Sequence, residues 1–325
     1  MRFFANAQFD FLQWRRRGYV VSAALLLLGL GAMAYNYSTT GSWLNYGIDF
    51  TGGSIVQVEF LQPTTVEQIR AATAEAGAAG WQITRFGGED EFVIRLPTFD
   101  QEAGGDASQR VGAILRAEFG AEAFRIVRTE AVGPTVGAEL QQRALLAILI
   151  SFVLTLIYLA FRFEWRFGVA AIAATAHDIL ITLGFLAIFR TEIAVGTVAA
   201  FLTIVGYSLN DTIVVFDRIR ENLNVPRRVA SYREIVNRSI NDTLPRTVLT
   251  SGTTLLTLLS LYLFGGAVIR DFALVLILGV AIGTFSSIFV AAPALYAIQN
   301  RWPRQDKRAR GRAAPNSPDR AKAAV

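Results

Sequence analysis

The sequence predicts a polytopic α-helical membrane protein that carries one polar α+β domain between its first and second transmembrane helices. Of its 325 residues, 53% are hydrophobic and only 18% are charged, whereas a soluble domain has about 25% charged residues. Several apolar runs approach the roughly 20 residues that an α-helix needs to cross a bilayer. The segment from Asn36 to Arg143 is polar instead.

The apolar runs predict six membrane spans. They are Gly18–Tyr35, Ala144–Phe161, Gly168–Phe189, Ala194–Phe216, Val248–Ile269 and Phe272–Ile298. We therefore divide the chain into residues 1–35 with the first span, a polar domain at 36–143, the remaining spans at 144–300, and a basic tail at 301–325.

Lys and Arg residues predict the orientation, because positive loops stay in the cytoplasm. The positive groups are Arg2, Arg15, Arg16 and Arg17 before the first span, Arg162 and Arg166 after the second, Arg218, Arg220, Arg227, Arg228, Arg233, Arg238 and Arg246 after the fourth, and the tail from Arg301. The short loops on the other side hold only Arg190 and Arg270. Both termini are therefore predicted to be cytoplasmic, with the polar domain outside.

A cleaved signal peptide is an alternative interpretation of the first span. Arg15–Arg17 precede the apolar run, and Ala32-Met33-Ala34 resembles an A-x-A cleavage site. We favour a membrane anchor, because the run is long for a signal peptide and cleavage would remove the helix that precedes the outside domain.

The polar domain has the pattern of a ferredoxin-like sandwich. Alternating segments predict strands, and threonine caps and closing glycines predict helices. The strands are Ser54–Phe60, Trp81–Phe86, Glu91–Leu96 and Ala123–Ala131, and the helices are Thr64–Ala78 and Asp106–Phe119. Their order, βαββαβ, is that of the split βαβ fold. One face of such a sheet is open for binding or docking.

Composition excludes several classes of site. The chain has no cysteine and a single histidine, His177, so disulfides, thiolate metal sites and a zinc site built on several histidines are excluded. No phosphate-binding G-x-x-x-x-G-K-[ST] loop occurs. The net charge of +5 follows the membrane topology and does not indicate nucleic acid. We expect no cofactor and no enzymatic activity, and any energy source should be an ion gradient.

Asp211 is the first candidate for function, because it lies inside the apolar run Ala194–Phe216. A charged Asp at the centre of a membrane helix costs about 2.5–3.5 kcal/mol, and such residues usually face a bundle interior or a wet path. Tyr207, one turn earlier, can hydrogen-bond it, and Asn210 is its neighbour. Proton or ion handling is the first hypothesis. A position near the lipid headgroups is the alternative.

Arg246 is predicted to open the fifth span and to reach towards Asp211. Its charge would favour an ionised Asp211 and burial would oppose it, which suits loading and release of a proton. Hydroxyl groups follow at Thr247, Thr250, Ser251, Thr253, Thr254 and Thr257. These hydroxyl groups are compatible with the lining of a water-filled path or with hydrogen bonds between packed helices. Arg246 alone is also compatible with an ordinary positively charged anchor at the cytoplasmic edge of the membrane.

Two further features stand out. His177 and Asp178 lie near the centre of the third span and are either a second proton site or a tie between helices. Two glycine motifs, Gly47–Gly53 (GIDFTGG) and Val132–Gly137 (VGPTVG), flank the polar domain. They are typical of hinges or turns. The predicted hinge residues are Gly52, Gly53, Gly133, Pro134 and Gly137.

Together these motifs resemble the SecF family of protein-export membrane proteins. The resemblance covers most of the chain in the family's order. It rests on GIDFTGG, VGPTVG, HDILITLG (His177–Gly184), GYSLNDTIVVFDRIREN (Gly206–Asn222) and NRSINDTLPRTVLTS (Asn237–Ser251).

The resemblance implies one half of an exporter of the resistance-nodulation-division type in the bacterial inner membrane, with the polar domain periplasmic. SecD would supply the other half. The pair would assist the SecYEG translocon, with YajC as a further candidate partner, by using the proton motive force on unfolded preproteins. It also implies that Asp211 and Arg246 take part in proton coupling, with the proton as the coupling ion.

Three alternatives remain open. The chain is compatible with half of a lipid or small-molecule exporter of the same architecture, or with a stabiliser of the translocon that moves no protons. The third alternative is an intramembrane aspartyl protease, because Asp178 and Asp211 are two carboxylates on separate spans, as a pair that shares one proton requires. This alternative is disfavoured because such proteases have their Asp in a Gly-x-Gly-Asp sequence, whereas Asp211 follows Leu209-Asn210.

Overall fold

A computed structural model of the chain describes residues 7–88, 90–96, 107–224 and 231–302. Six helices in these residues are long and apolar enough to cross a membrane, which confirms the predicted number and order of spans. Arg2, Arg227, Arg228 and all of the tail after Trp302 lie outside the described residues.

The first part of the chain connects a membrane helix to the sheet through a short bridge. Helix α1 spans Phe11–Thr40, strand β1 is Asn45–Tyr46, and the short helix α2 is Ile48–Thr51 inside the GIDFTGG motif. Neither β1 nor α2 was predicted from the sequence, because each is too short to show a hydrophobic period.

The polar domain consists of four strands and two helices. They are β2 (Gly53–Phe60), α3 (Val66–Glu75), β3 (Gln82–Arg85), β4 (Glu91–Leu96), α4 (Ala107–Phe119) and β5 (Phe124–Val132). Asp106, the predicted start of the second helix, lies outside the described residues. The sheet has the order β3-β4-β2-β5, and each neighbouring pair is antiparallel.

The helices of this domain cover one face of the sheet. Val56 and Ile94 from the strands and Ile69, Val111 and Leu115 from α3 and α4 form a common buried core. Alternate residues such as Gln57 and Arg95 lie on the opposite face and line a cavity of about 660 Å³. The far wall of this cavity is formed by residues at the ends of the membrane helices nearest the sheet, such as Thr197 and Phe272.

The remaining membrane helices follow without a further domain. They are α5 (Pro134–Arg162), α6 (Trp165–Phe189), α7 (Val195–Asn224) after strand β6 (Glu192–Ile193), and α8 (Tyr232–Phe264). The last span comprises α9 (Gly266–Ser286), a π-helical turn (Ser287–Ala291) and α10 (Ala292–Arg301).

The helix that contains the predicted fifth span, Val248–Ile269, begins before that span and ends before Ile269. Helix α8 begins far earlier, at Tyr232, because Ser231 and Glu234 form a capping box that starts a polar helix before the apolar run. It continues through Pro245 and ends at Phe264, where Gly266 takes a left-handed conformation with φ 75°. Ile269 therefore belongs to the last span.

Helices α6 and α7 and the last span form the buried centre of the membrane part, whereas α5 is almost entirely exposed. Glycines permit a close approach between α1 and α6. A Cβ atom on Gly29 would lie 2.6 Å from the Cα of Gly184. Small residues of this kind let membrane helices pack backbone to backbone.

Candidate functional site

Asp211 lies in the middle of α7 and is 2% exposed. Its Oδ2 accepts a hydrogen bond of 3.1 Å from the Ser251 hydroxyl on α8. Ser251 in turn lies 2.7 Å from the hydroxyl of Thr284 on α9, which can donate to it. The carboxylate is therefore the end of a short hydroxyl chain that joins three helices. The sequence pattern had singled out Ser251, but nothing in it pointed to Thr284.

Tyr207 does not bond Asp211 directly, which corrects the expectation from their spacing. Its hydroxyl lies 3.5 Å from Ser251 Oγ and 3.3 Å from Thr254 Oγ1 on α8. The one-turn separation on α7 places both side chains towards α8, but the long tyrosine ring carries its hydroxyl past the carboxylate. Tyr207 thus contacts the hydrogen-bond partner of Asp211.

Arg246 lies within α8, about three turns after Glu234 of the capping box. Its side chain is exposed, and among the described residues it forms no ion pair within 4.0 Å. It is nevertheless near enough for electrostatic attraction to Asp211. In this arrangement a hydroxyl, and not a cation, contacts the buried carboxylate.

Asn210 lies on the other side of α7 from this cluster. It is exposed, together with Gly196, Ala199, Thr203 and Gly206. These residues recur every three or four positions and form a stripe of small and polar side chains along the helix, which we call the α7 stripe. The structure therefore separates Asn210 from Asp211, although they are adjacent in sequence.

His177 and Asp178 form a second, separate polar centre. Asp178 is 0% exposed, and its Oδ1 lies 2.9 Å from His177 Nδ1. Its Oδ2 accepts hydrogen bonds from Ser208 on α7 at 2.5 Å and from Ser286 on α9 at 2.7 Å. The carboxylate therefore ties three helices together. Neither serine was predicted, because nothing in the sequence shows which hydroxyl meets a carboxylate on another helix.

The described residues contain no group of three or more His, Cys, Asp or Glu side chains that could hold a metal ion. Asp211 and Asp178 each have hydroxyl partners instead. Both centres involve α7, through Asp211 and through Ser208 one turn before it.

The predicted hinge residues meet in one tightly packed junction. A Cβ atom on Gly52 would lie 2.9 Å from the Cα of Pro134, and one on Gly137 would lie 3.0 Å from the backbone nitrogen of Gly52. Gly52 and Gly53 have φ values of 73° and 122°, which favour glycine. Gly133 is extended and has open space around it.

The GIDFTGG motif also contacts α7. Asp49 Oδ2 accepts a hydrogen bond of 2.8 Å from the backbone nitrogen of Val195, the first residue of that helix. The backbone nitrogen of Gly47 donates to Ile193 O at 2.9 Å. Asp49 was not among the predicted site residues, although its motif was recognised.

On the opposite end of the bundle, α8 holds the start of α1. Asn241 Oδ1 accepts from the backbone nitrogen of Phe9 at 2.9 Å, and Asn237 Oδ1 accepts from that of Leu12 at 3.0 Å. Asn237 Nδ2 donates to Asp10 at 2.6 Å. The asparagines of the NRSIND sequence therefore brace two helices that are far apart in the chain.

Comparison with known families identifies two matching regions. The family described as "Protein export membrane protein SecD/SecF, C-terminal" matches residues 113–301, and the SecD/SecF GG motif matches residues 37–63. The second region contains GIDFTGG, and the first contains both polar centres.

Individual relatives agree with this result. The chain is 48% identical over 318 residues to the protein translocase subunit SecF of Gemmatimonas aurantiaca, covering 96% of this chain and 94% of the relative. Identity to the Escherichia coli O157:H7 subunit of the same name is 40% over 285 residues, covering 87% and 86%.

A crystal structure of SecDF, a translocon-associated membrane protein from Thermus thermophilus, has a TM-score of 0.79 to this chain at 41% identity. The match covers 91% of this chain and 39% of that chain, so this protein spans about two fifths of SecDF. Because the matching family region covers more than half of the chain and SecF relatives cover most of it, the chain belongs to the SecD/SecF family of protein-export membrane proteins, as a SecF-type member.

Proposed function

We propose that the chain is the SecF subunit of an accessory complex that assists preprotein translocation across the bacterial inner membrane, and that it couples this work to the proton motive force. The names of its relatives support the role in translocation. One observation carries the proton coupling: Asp211 is 2% exposed within a membrane helix and has a hydroxyl, not a cation, as its hydrogen-bond partner.

A buried carboxylate without an ion pair is costly when it is charged. Two events can remove this cost: binding of a proton, or movement of Arg246 from its exposed position towards Asp211. We infer that the two states alternate. A proton that crosses the membrane releases about 2.3 kcal/mol per 100 mV. This is enough to bias a weakly held polypeptide chain outwards.

SecD is the proposed partner. The α7 stripe is exposed, and Cβ atoms on its Gly196 and Gly206 would meet nothing within 4 Å. On α8, Thr253, Thr257 and Ser260 are also exposed. Small and hydroxyl side chains suit close packing against another membrane helix. In the SecDF structure, the region that matches this chain is 39% of the whole SecDF chain. This supports the proposal that a separate SecD supplies the remaining part.

We further propose that the sheet domain is a periplasmic ferredoxin-like domain that holds the emerging preprotein. Its element order and its antiparallel strand order β3-β4-β2-β5 support the ferredoxin-like assignment. The positions of the positive residues support cytoplasmic termini. In this proposal Gly52, Gly53, Gly133, Pro134 and Gly137 act as hinges. SecYEG and YajC are further partners. The chain is not an enzyme and uses no cofactor besides protons.

The test is an Asp211→Asn variant in cells that are depleted of the native chain. We expect normal co-purification with SecD but loss of reporter-preprotein export and of its response to the proton gradient. Glu139→Gln serves as the control, because Glu139 is an exposed carboxylate on α5 that pairs with Arg143 of the same helix. Normal export by Asp211→Asn would contradict proton coupling and favour a structural stabiliser of the translocon.

A further inference from the structure

We propose that the first half of the GIDFTGG motif, Gly47 to Asp49, is a permanent clamp that joins the outer end of α7 to the sheet domain. Through this clamp, a movement of the helix that carries Asp211 becomes a movement of the domain outside the membrane. The inference rests on the proposed function and adds the residues that transmit the motion. Asp49 and Gly47 are positioning residues in this scheme.

Asp49 holds the helix end itself. The first backbone N–H groups of any helix lack partners within the helix. The carboxylate of Asp49 accepts the hydrogen bond of Val195, at 2.8 Å, and its negative charge is favourable at a helix N-terminus. From Val195 to Asp211, α7 is one unbroken α-helix and covers about 24 Å at 1.5 Å per residue. A displacement at Asp211 therefore reaches Asp49 through a rigid element.

Gly47 holds the loop that precedes the helix. Its nitrogen bonds Ile193 O at 2.9 Å, and β1 pairs with β6 in parallel, with Tyr46 opposite Ile193. A Cβ atom on Gly47 would lie 2.4 Å from the carboxylate of Glu192 and 3.2 Å from Ile193 O. A side chain at this position would displace the Glu192 carboxylate, which pairs with Arg95.

Two connections continue from the clamp into the sheet. Glu192 forms an ion pair with Arg95 on β4. Gly53, the last residue of the motif, begins β2, and a Cβ atom on it would lie 2.6 Å from Leu96 O at the end of β4. Both routes lead to the central strands of the sheet. The clamp is therefore attached to the sheet through two connections, one from Glu192 and one from Gly53.

The clamp is tested first by hydrogen exchange of the complete complex in lipid nanodiscs. In Asp49→Ala we expect the amide exchange of the peptide containing Val195 to become about fivefold faster, the change expected when a helix loses an N-terminal acceptor. Glu75→Ala, at an exposed position at the end of α3, should leave this rate unchanged. Unchanged exchange in Asp49→Ala would overturn the clamp.

Transmission is tested by replacing the hydrogen bond with a covalent link. The chain has no cysteine, and neighbouring strands are about 4.8 Å apart, so Tyr46→Cys with Ile193→Cys can form a unique disulfide. We expect Asp49→Ala to lower the export rate several-fold, and the oxidised disulfide to restore it. Reduction should remove the rescue.

Two results would overturn transmission: normal export by Asp49→Ala, or an oxidised disulfide that stops export while Asp49 is intact, since the clamp would then have to open. Export by Asp211→Asn separates the two hypotheses. If that variant exports normally, proton coupling fails, whereas the exchange experiment still decides whether the clamp exists.

Discussion

The two buried carboxylates differ in how completely their hydrogen bonds are satisfied. Asp178 has three partners, His177, Ser208 and Ser286, whereas Asp211 has Ser251. A carboxylate with partners on three helices resists change, because moving any helix breaks a bond. A carboxylate with one flexible hydroxyl partner can change its protonation and pairing at lower cost. The geometry therefore favours a structural role for Asp178 and leaves the switching role to Asp211.

The difference leads to a prediction about stability. Asp178→Ala should destabilise the protein by about 1.2 kcal/mol, from its two hydrogen bonds to other helices at roughly 0.6 kcal/mol each, the average between membrane helices. Asp211→Asn should change stability much less, because asparagine retains an acceptor for Ser251. Thermal unfolding in detergent measures both. Equal losses in the two variants would contradict the assignment of roles.

At the scale of elements, the helices pack where glycines remove the side chains between them. Gly29 on α1 meets Gly184 on α6, and the start of α1 is held by Asn237 and Asn241 of α8. Helix α1 is thus fixed at two points, although its own apolar surface is mostly exposed. The rest of that surface is available to lipid or to a partner.

A matched pair of substitutions tests this packing. Gly29→Ala should lower stability and the yield of folded protein, because its Cβ would lie 2.6 Å from the Gly184 backbone. Gly31→Ala, two residues later, meets nothing within 4 Å and should be neutral or stabilising by up to about 1 kcal/mol from helix propensity. The melting temperatures in detergent give the comparison. Similar effects of both changes would argue against a Gly29–Gly184 contact.

In the molecule as a whole, α7 connects the GIDFTGG motif with the two polar centres. The end of α7 nearest the sheet domain contacts the GIDFTGG motif through Val195, its centre carries Ser208 and Asp211, and its far end pairs with α8 through Arg218 and Asp242. The sheet domain lies at one end of this helix and the bracing polar contacts at the other. The proposed orientation places these ends on opposite sides of the membrane.

Single cysteines in the cysteine-free chain test the orientation. Glu67→Cys on α3 and Asn224→Cys at the end of α7 are both exposed positions. In cells with a permeabilised outer membrane, an impermeant maleimide should label the first and not the second. After disruption of the inner membrane it should label both. Labelling of Asn224→Cys before the inner membrane is disrupted would indicate the opposite topology.

The sequence by itself determined the number and order of the membrane spans and the position of Asp211 within one of them. These properties depend on the length and polarity of local segments, which can be read directly from the chain. It also indicated the two glycine motifs and the alternation of strands in the polar domain. The extent of α8 was missed, since a helix can continue beyond the membrane with polar residues.

Only the tertiary structure decided which groups meet. Ser251 contacts Asp211 across 40 positions of the chain, Ser286 contacts Asp178 across 108, and Asp49 caps α7 across 146. Such contacts depend on how complete helices pack against each other, and no local pattern of hydroxyls or carboxylates encodes that arrangement. For the same reason Asn210, although adjacent to Asp211 in sequence, lies on the exposed side of α7, whereas Tyr207 contacts the serine that bonds Asp211.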